Sequence, residues 1–339
     1  MHLQFGGPLI CDRALYILVH MRTLTPNHSE SPRTERPAAG AREGVICILC
    51  GASSIRRSKR LPQTVVACAE CGFVFAHPQP SEAELAAIYD DAYYRPFGYD
   101  ETGESGYRRL RRAWFDRVLT VAERYVAPGK LLDVGSGLGD LLAAARARGW
   151  EARGVETNAF AVNEADRAVP AATFHGCLAD LHATDGFDLV TCCDTLEHVR
   201  DPVGELRRIH AALRPDGWLL IATVNIGGWQ ARLSGRRWIH FLREHLWYFD
   251  RRSLSRLVEG AGFEVVDWRV PRKVFNLRYI AGIFAHHSQS ALWRAAWRGI
   301  IKIAPHAVLS AHWPGLPEGQ LIVARRAESA PTNLRTSYH

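Results

Sequence analysis

From Lys130 onward the chain alternates short apolar runs with segments whose apolar positions return every three to four residues. These are the periods of buried strands and amphipathic helices. The runs are "LLDVG", "EARGVE", "ATFHG", "FDLVTCCD", "WLLIATV", "FEVVDWRV" and "GQLIVARR". Between them, "GDLLAAARARG", "NAFAVNEADRA" and "SLSRLVEGAG" read as helices. A further helix is predicted from Asp201, as N-cap, and Pro202, in the first turn, to a turn at "RPDG". Apolar strands alternating with helices predict an α/β domain, a parallel sheet covered on both faces. It spans 127–327.

Upstream, Ser81 and Glu84 form an S-x-x-E capping box that starts a helix. A Tyr- and Gly-rich loop follows over 92–106, and helical periodicity returns over 107–126 through Leu110, Trp114, Val118, Val121 and Tyr125. Residues 81–126 therefore read as a helical linker and cleft lid. Residues 274–315 interrupt the strand pattern with aromatic and mixed sequence, with Trp293 and Trp297 one helical turn apart. A helical insertion packed on the core is expected there, with a membrane-surface face over 274–312 as the alternative.

Composition changes little in this picture. The 339 residues are 47% hydrophobic and 23% charged, enough for one large domain and a small module. Net charge is +7, but the cations are nearly all Arg and alternate with acids, so the charge does not by itself point to nucleic acid. No run reaches the roughly 20 apolar residues of a membrane helix. The first residues lack the pattern of a signal peptide, Met21 is a second possible start, and 1–43 and 328–339 read as disordered. A cytoplasmic location with reduced cysteines is expected.

Four cysteines stand out: Cys47-x2-Cys50 and Cys68-x2-Cys71, seventeen residues apart. Each C-x2-C turn presents two thiolates to one ion, and two turns close a tetrahedral S4 shell. Gly51 and Gly72 follow the second Cys of each pair, where the knuckle needs a permissive backbone. The expectation is a structural Zn2+ in a ribbon over 44–80. Cys11, Cys177, Cys192 and Cys193 lack such spacing.

The first strand runs through Asp133 into Gly135, Gly137 and Gly139. A glycine loop at a strand–helix junction usually cradles phosphate on backbone N–H groups. An acid just ahead of it would repel pyrophosphate but attract a cationic ligand such as S-adenosylmethionine, which carries a sulfonium and an ammonium. Glu156 ends the next strand, where a carboxylate can accept both hydroxyls of a ribose.

With these residues in view, "LLDVGSGLGD", "GVE", "FDLVTCCDTLEHVRDP", "LRPDGWLLIATV" and "EHLWYFDRRSLSRLVEGAGFEVV" resemble class I S-adenosylmethionine-dependent methyltransferases over about 128–270 and again near 319–326. The ribbon is similar to zinc modules that precede some bacterial small-molecule methyltransferases. The resemblance implies a Rossmann-like seven-stranded sheet with S-adenosylmethionine as cofactor. By that likeness Gly135, Gly137 and Gly139 hold its methionine part, Glu156 its ribose and Asp180 the adenine amino group, while Asp133 and Asp194 also line the cofactor cleft.

Two constellations compete for the chemistry. Asp194-Thr-Leu-Glu197-His198 resembles the E-x-x-E-H stretch that quinone-biosynthesis O-methyltransferases associate with a divalent metal, with Asp in place of the first Glu. Glu244–His245, in "FLREHLWYF", resembles the E-H-x-x-Y-[FY] stretch of sugar C-methyltransferases, in which His acts as base; Leu242 stands where those enzymes have Tyr. His245 and Glu244 are the expected catalytic pair. Trp229, Trp238, Trp247 and Tyr248 lie on the same segment and are candidates to stack on the acceptor or to pack in the core. The acceptor is expected to be a small molecule, a sugar or aromatic hydroxyl. The rivals are C-methylation of a nucleotide sugar, RNA methylation with the ribbon as grip, and a non-catalytic binding module.

Overall fold

The computed structural model describes residues 45–89, 93, 106–181, 186–275 and 313–328, with scattered positions between 295 and 311. Three short strands come first: β1 (Ile55–Arg56), β2 (Val65–Cys68) and β3 (Val74–Ala76), paired antiparallel in sequence order. Helix α1 (Glu82–Ile88) follows, and both halves of its Ser81/Glu84 capping box are formed. Helix α2 (Gly106–Ala122) stops short of the expected 126. Pro128 biases Ala127 away from helical backbone, and the last turn tightens as Tyr125 N–H and Val126 N–H both reach the Ala122 carbonyl.

Then come β4 (Lys130–Val134), α3 (Asp140–Ala147), β5 (Glu151–Glu156), α4 (Ala159–Ala168), β6 (Thr173–His175), β7 (Phe187–Cys193), α5 (Pro202–Ala212) and β8 (Leu213–Thr223). The remaining elements are α6 (Trp229–Ser234), β9 (Trp247–Tyr248), α7 (Arg251–Gly260), β10 (Phe263–Arg269), β11 (Arg272–Phe275), β12 (Trp313–Pro317) and β13 (Gln320–Arg326). Seven of these strands form one sheet in the order β10-β13-β8-β7-β4-β5-β6. From β8 to β6 all pairings are parallel, and β13 inserts antiparallel between β8 and β10. Such a sheet needs cover on both faces. One face packs α2 and α3 through Trp114, Leu119, Leu141 and Leu142; the other packs α5 and α7 through Leu206, Ile209, Leu254 and Leu257.

Two expectations are corrected. "RPDG" does not end a helix as a free turn: β8 begins at Leu213, and the register with β7 jumps from Phe187↔Leu213 to Leu189↔Trp218, so 214–217 bulge out of the strand. The insertion over 274–315 is bracketed by the antiparallel pair β11–β12, so 274–275 and 313–315 are extended. Two prolines in Trp313–Pro317 disfavour helix there. Residues 1–44, 276–294 and 329–339 lie outside the described residues, as does most of the loop over 92–106.

The ribbon is not a tethered bead. β9, far along the chain, pairs antiparallel with β3, Val74↔Tyr248 and Phe75↔Trp247. Phe73 stacks on Trp247 and Phe249 at 5.9 and 5.6 Å, and all three join the core beneath the main sheet. Burying one large apolar side chain is worth about 1.5–3 kcal/mol. Four aromatics at this seam, counting Phe75, therefore hold ribbon and sheet together as one body.

Candidate active site

The chain runs outward from β4 through β5 to β6, then returns on the other side of β4 as β7. Ligands bind at the carboxyl ends of strands where the order reverses, here beyond Val134 and Cys193. Gly135, Gly137 and Gly139 all have positive φ, at 75°, 51° and 75°. At Gly135 a Cβ would lie 2.3 Å from Thr195 Oγ1, and at Gly139 3.0 Å from Ala165. The first glycine thus lets β7's end close on the loop, and the last lets α3 start beside α4.

Glu156, buried, spans the mouth. Its Oε2 accepts from Gly137 N–H and its Oε1 from Asn158 N–H, both at 2.9 Å. A carboxylate held by backbone N–H groups in this way is fixed in orientation at the end of β5. Asp133 is buried at the end of β4, and its Oδ1 accepts from Thr191 Oγ1 at 2.7 Å. Burial raises its pKa from 3.8 to about 7 against the Thr191 hydrogen bond and the Arg111 charge, with Glu156 adding to the rise. A buried carboxyl in this state gains from a cation brought beside it. Asp194 ends β7 at φ 51°, a left-handed conformation that costs a non-glycine residue of order 1–3 kcal/mol. Asp180 is exposed and ties down its own turn by accepting from Cys177 N–H at 3.0 Å. The glycine loop, Glu156 and Asp133 thus lie together at the carboxyl ends of β4 and β5.

The two rival constellations form one cluster. Ligand atoms of Glu197, His198 and His245 all lie within 4.8 Å of one another, near enough to hold one cation; Asp194 is not part of that group. The His198 and His245 rings meet edge-to-face at 4.6 Å. His198 Nδ1 lies 3.1 Å from the Glu244 carbonyl and 2.8 Å from Tyr89 Oη. A carbonyl only accepts, so the Glu244 contact favours the tautomer with the proton on Nδ1 and the lone pair on Nε2, while the Tyr89 hydroxyl suits either tautomer. Burial holds His198 below the usual imidazole range, opposed by Glu244 and Asp194. His245 is buried at 5% exposure, and Glu244 reaches the cluster through its backbone carbonyl.

Of the aromatics, Trp238, Trp247 and Tyr248 are buried at 5%, 0% and 1%, so they pack the ribbon seam and the wall behind the cleft. Trp229 is 47% exposed, its Nε1 donating to the Pro317 carbonyl at 3.1 Å.

Several residues escaped sequence reasoning. Arg108, buried, donates to Asp140 Oδ1 at 3.0 Å and to the Leu138 carbonyl at 2.8 Å, and Arg111 and Arg112 flank the same carboxylate. Helix α2 thereby clamps the glycine loop. Its sequence signal was Asp140 directly after the last glycine, opposite an Arg-rich helix. Tyr89, just past α1, also accepts from Asn158 Nδ2 at 2.8 Å on its carbonyl, linking cofactor and acceptor sides; nothing local marked it. His240 sits 2.6 Å from Glu318 and stacks toward His245.

In the ribbon, Cys47 and Cys71 Sγ are 3.6 Å apart and Cys50 and Cys68 Sγ 3.5 Å, with all four within 4.8 Å and none in a disulfide. An S4 tetrahedron at about 2.3 Å per Zn–S bond has edges of about 3.8 Å, so the donors fit a zinc ion. Gly51 and Gly72 take matching φ of 75° and 78°. Burial raises the Cys47 thiol strongly and Cys71 to about 11, a burden that thiolate–metal bonding removes.

Residues 107–267 match the family described as "Methyltransferase domain". The chain is 32% identical over 130 residues to a ubiquinone biosynthesis O-methyltransferase of Chromobacterium violaceum, covering 34% of this chain and 51% of that protein. It is 31% identical over 171 residues to the protein of the same name from Albidiferax ferrireducens, covering 45% and 64%. The chain thus spans about half to two-thirds of the length of the curated relatives it matches. Among solved structures, the [4+2]-cyclase SpnF overlaps at TM-score 0.46 with 24% identity, covering 74% of this chain and 98% of that one. The plantazolicin methyltransferase BpumL, in complex with SAH, overlaps at 0.43 with 12% identity, covering 74% and 92%. Overlaps this low add no weight to the sequence match. On that match, and on the sheet order that carries the glycine loop, residues 107–267 belong to the class I S-adenosylmethionine-dependent methyltransferase family.

Proposed function

We propose that the protein transfers a methyl group from S-adenosylmethionine to a hydroxyl of a small-molecule acceptor. The observation that carries this reading is a buried carboxyl, Asp133, directly ahead of a triple-glycine loop that Glu156 closes. A phosphate-bearing carrier would face that carboxyl at a loss, whereas a sulfonium and an ammonium gain from it. The bound cofactor supplies an electrophilic methyl on a good leaving group.

The rest falls to this chain's residues. Gly135, Gly137 and Gly139 allow the backbone to approach the amino-acid end, Glu156 receives the ribose hydroxyls on its carboxylate, and Asp180 takes the adenine edge. Asp194, in its left-handed conformation, lines the cleft between cofactor and acceptor. On the acceptor side, removing the hydroxyl proton needs a neutral imidazole. His198 fits that task better than the expected His245: it is less buried, and the Glu244 carbonyl favours its Nε2 as the open acceptor. His245 holds the His198 ring from its edge, and Glu244 contributes through its carbonyl and its charge. A general base of this kind is worth roughly 10²–10⁴ in rate. In the ribbon, Cys47, Cys50, Cys68 and Cys71 hold a structural Zn2+, a closed shell that leaves no place for substrate.

The test is turnover with labelled S-adenosylmethionine on a panel of phenolic and sugar hydroxyls, with His198→Ala and His245→Ala beside the wild type. Loss of turnover in His198→Ala with unchanged cofactor affinity supports the reading. Wild-type turnover in both variants removes the imidazole pair from the mechanism.

A further inference from the structure

Between Ile55 and Ala69, and again between Asn225 and Arg243, the sequence contains no Asp or Glu. These two stretches lie far apart in the chain, yet the fold brings them together. The Arg60 carbonyl is 4.0 Å from where a Cβ on Gly235 would stand, and Leu61 packs in the same small cluster as Ala231 and Trp238. The ribbon's β1–β2 loop thus lies against α6 and the 3-10 turn Gly235–Arg237 after it. Lys59 and Arg60 on one side and Arg232, Arg236 and Arg237 on the other are all exposed. None forms an ion pair among the described residues. Within the same surface Leu233 is 80% exposed and Ile239 52% exposed. One residue beyond Ile239, His240 turns inward toward His245 and the acceptor side.

We propose that this face docks the protein on an anionic lipid surface, peripherally, with Leu233 and Ile239 entering the headgroup–acyl boundary and the surrounding cations pairing with headgroup phosphates. No helix among the described residues is long and apolar enough to cross a membrane, so the contact is interfacial. Unpaired cations alone would suit RNA equally well. The exposed apolar side chains decide: single strands are gripped by successive aromatic platforms on which bases stack, whereas this face offers the aliphatic Leu233 and Ile239 beside one exposed ring, Trp229, whose indole N–H is held by the Pro317 carbonyl. The proposal goes beyond methyl transfer and does not depend on it, and its place beside the cleft would let an acceptor held in a lipid surface reach the imidazole pair.

The experiment is vesicle flotation of the full chain, on phosphatidylcholine alone and with about 30 mol% phosphatidylglycerol. Each cation near such a surface strengthens binding about fivefold. Binding to the anionic vesicles is expected, weakened at least about 25-fold in Arg236→Glu/Arg237→Glu by that same scale and about tenfold or more in Leu233→Asp. Adenosylhomocysteine affinity and melting temperature should stay unchanged, which establishes that the variants are folded. Three results would overturn the proposal. One is no flotation with anionic vesicles; another is flotation that neither variant reduces. The third is a different occupant: single-stranded RNA that Arg236→Glu/Arg237→Glu releases and Leu233→Asp retains, or a vesicle-independent dimer that Leu233→Asp splits.

Discussion

Asp133→Asn isolates the charge on which cofactor recognition turns. In the ligand-free protein the carboxyl's pKa stands at about 7 instead of 3.8, chiefly because it is buried. The folded value lies above the unfolded one, so between pH 4 and 7 the native state holds a proton that the unfolded chain has released. Stability therefore falls as pH rises through this window. Roughly three pH units of separation, at about 1.4 kcal/mol each, amount to about 4 kcal/mol between the two ends. The asparagine variant is neutral throughout and escapes this loss. Urea unfolding at pH 5 and pH 8 spans about two of those three units, so the wild type should lose about 3 kcal/mol relative to Asp133→Asn between them. Ligand binding shows the reverse preference. A cationic ligand favours the ionised carboxyl, so wild-type affinity should fall toward acid pH by up to about tenfold per unit below 7, with uptake of the ligand releasing a proton. Calorimetry in buffers of different ionisation enthalpy measures that proton. Asp133→Asn should bind weakly at pH 8 and without pH dependence. Equal affinity of the two proteins at pH 8, or a flat wild-type profile from pH 5.5 to 8, would refute the electrostatic reasoning.

Other outcomes follow from the same geometry. Gly135→Ala places a methyl group 2.3 Å from Thr195 Oγ1 at a positive φ, and should abolish measurable adenosylhomocysteine binding while costing of order 1–3 kcal/mol in stability. Glu156→Gln removes the charge from a carboxylate that also pins Gly137 and Asn158; affinity should fall about tenfold to a hundredfold, in line with about 1.5–3 kcal/mol for a hydrogen bond to a charged group, read by calorimetry. Cys68→Ser should lower zinc content by mass spectrometry. Because the ribbon shares the main core, it should also lower the melting temperature of the whole chain in one cooperative step; a separate early transition would contradict the single-body description.

The strand–helix alternation, the capping box and the C-x2-C pairs were legible because each depends on residues close in sequence. Apolar period, cap chemistry and thiol spacing are local. The pairing of Phe75 with Trp247 was not, since it joins positions more than 170 apart and leaves no period in either segment. The same blindness made Glu197–His198 and Glu244–His245 read as rivals. Only the fold brings the end of β7 and the residues before β9 to one place. Trp238, Trp247 and Tyr248 were ambiguous for a related reason: an aromatic next to a catalytic motif looks the same in sequence whether it faces a ligand or a neighbouring module. "RPDG" carried the signature of a turn, and the chain spends it on a bulge within β8, where a parallel neighbour already sets the direction on both sides.

The central claim is that the cleft at Gly135–Gly139 was built for a positively charged methyl donor and not for a phosphorylated carrier. Isothermal calorimetry of the purified protein against S-adenosylmethionine, adenosylhomocysteine and NADH tests it directly. Saturable binding of the first two, competition between them and no heat with NADH are the expected results. Binding of NADH with indifference to both sulfur ligands would contradict it.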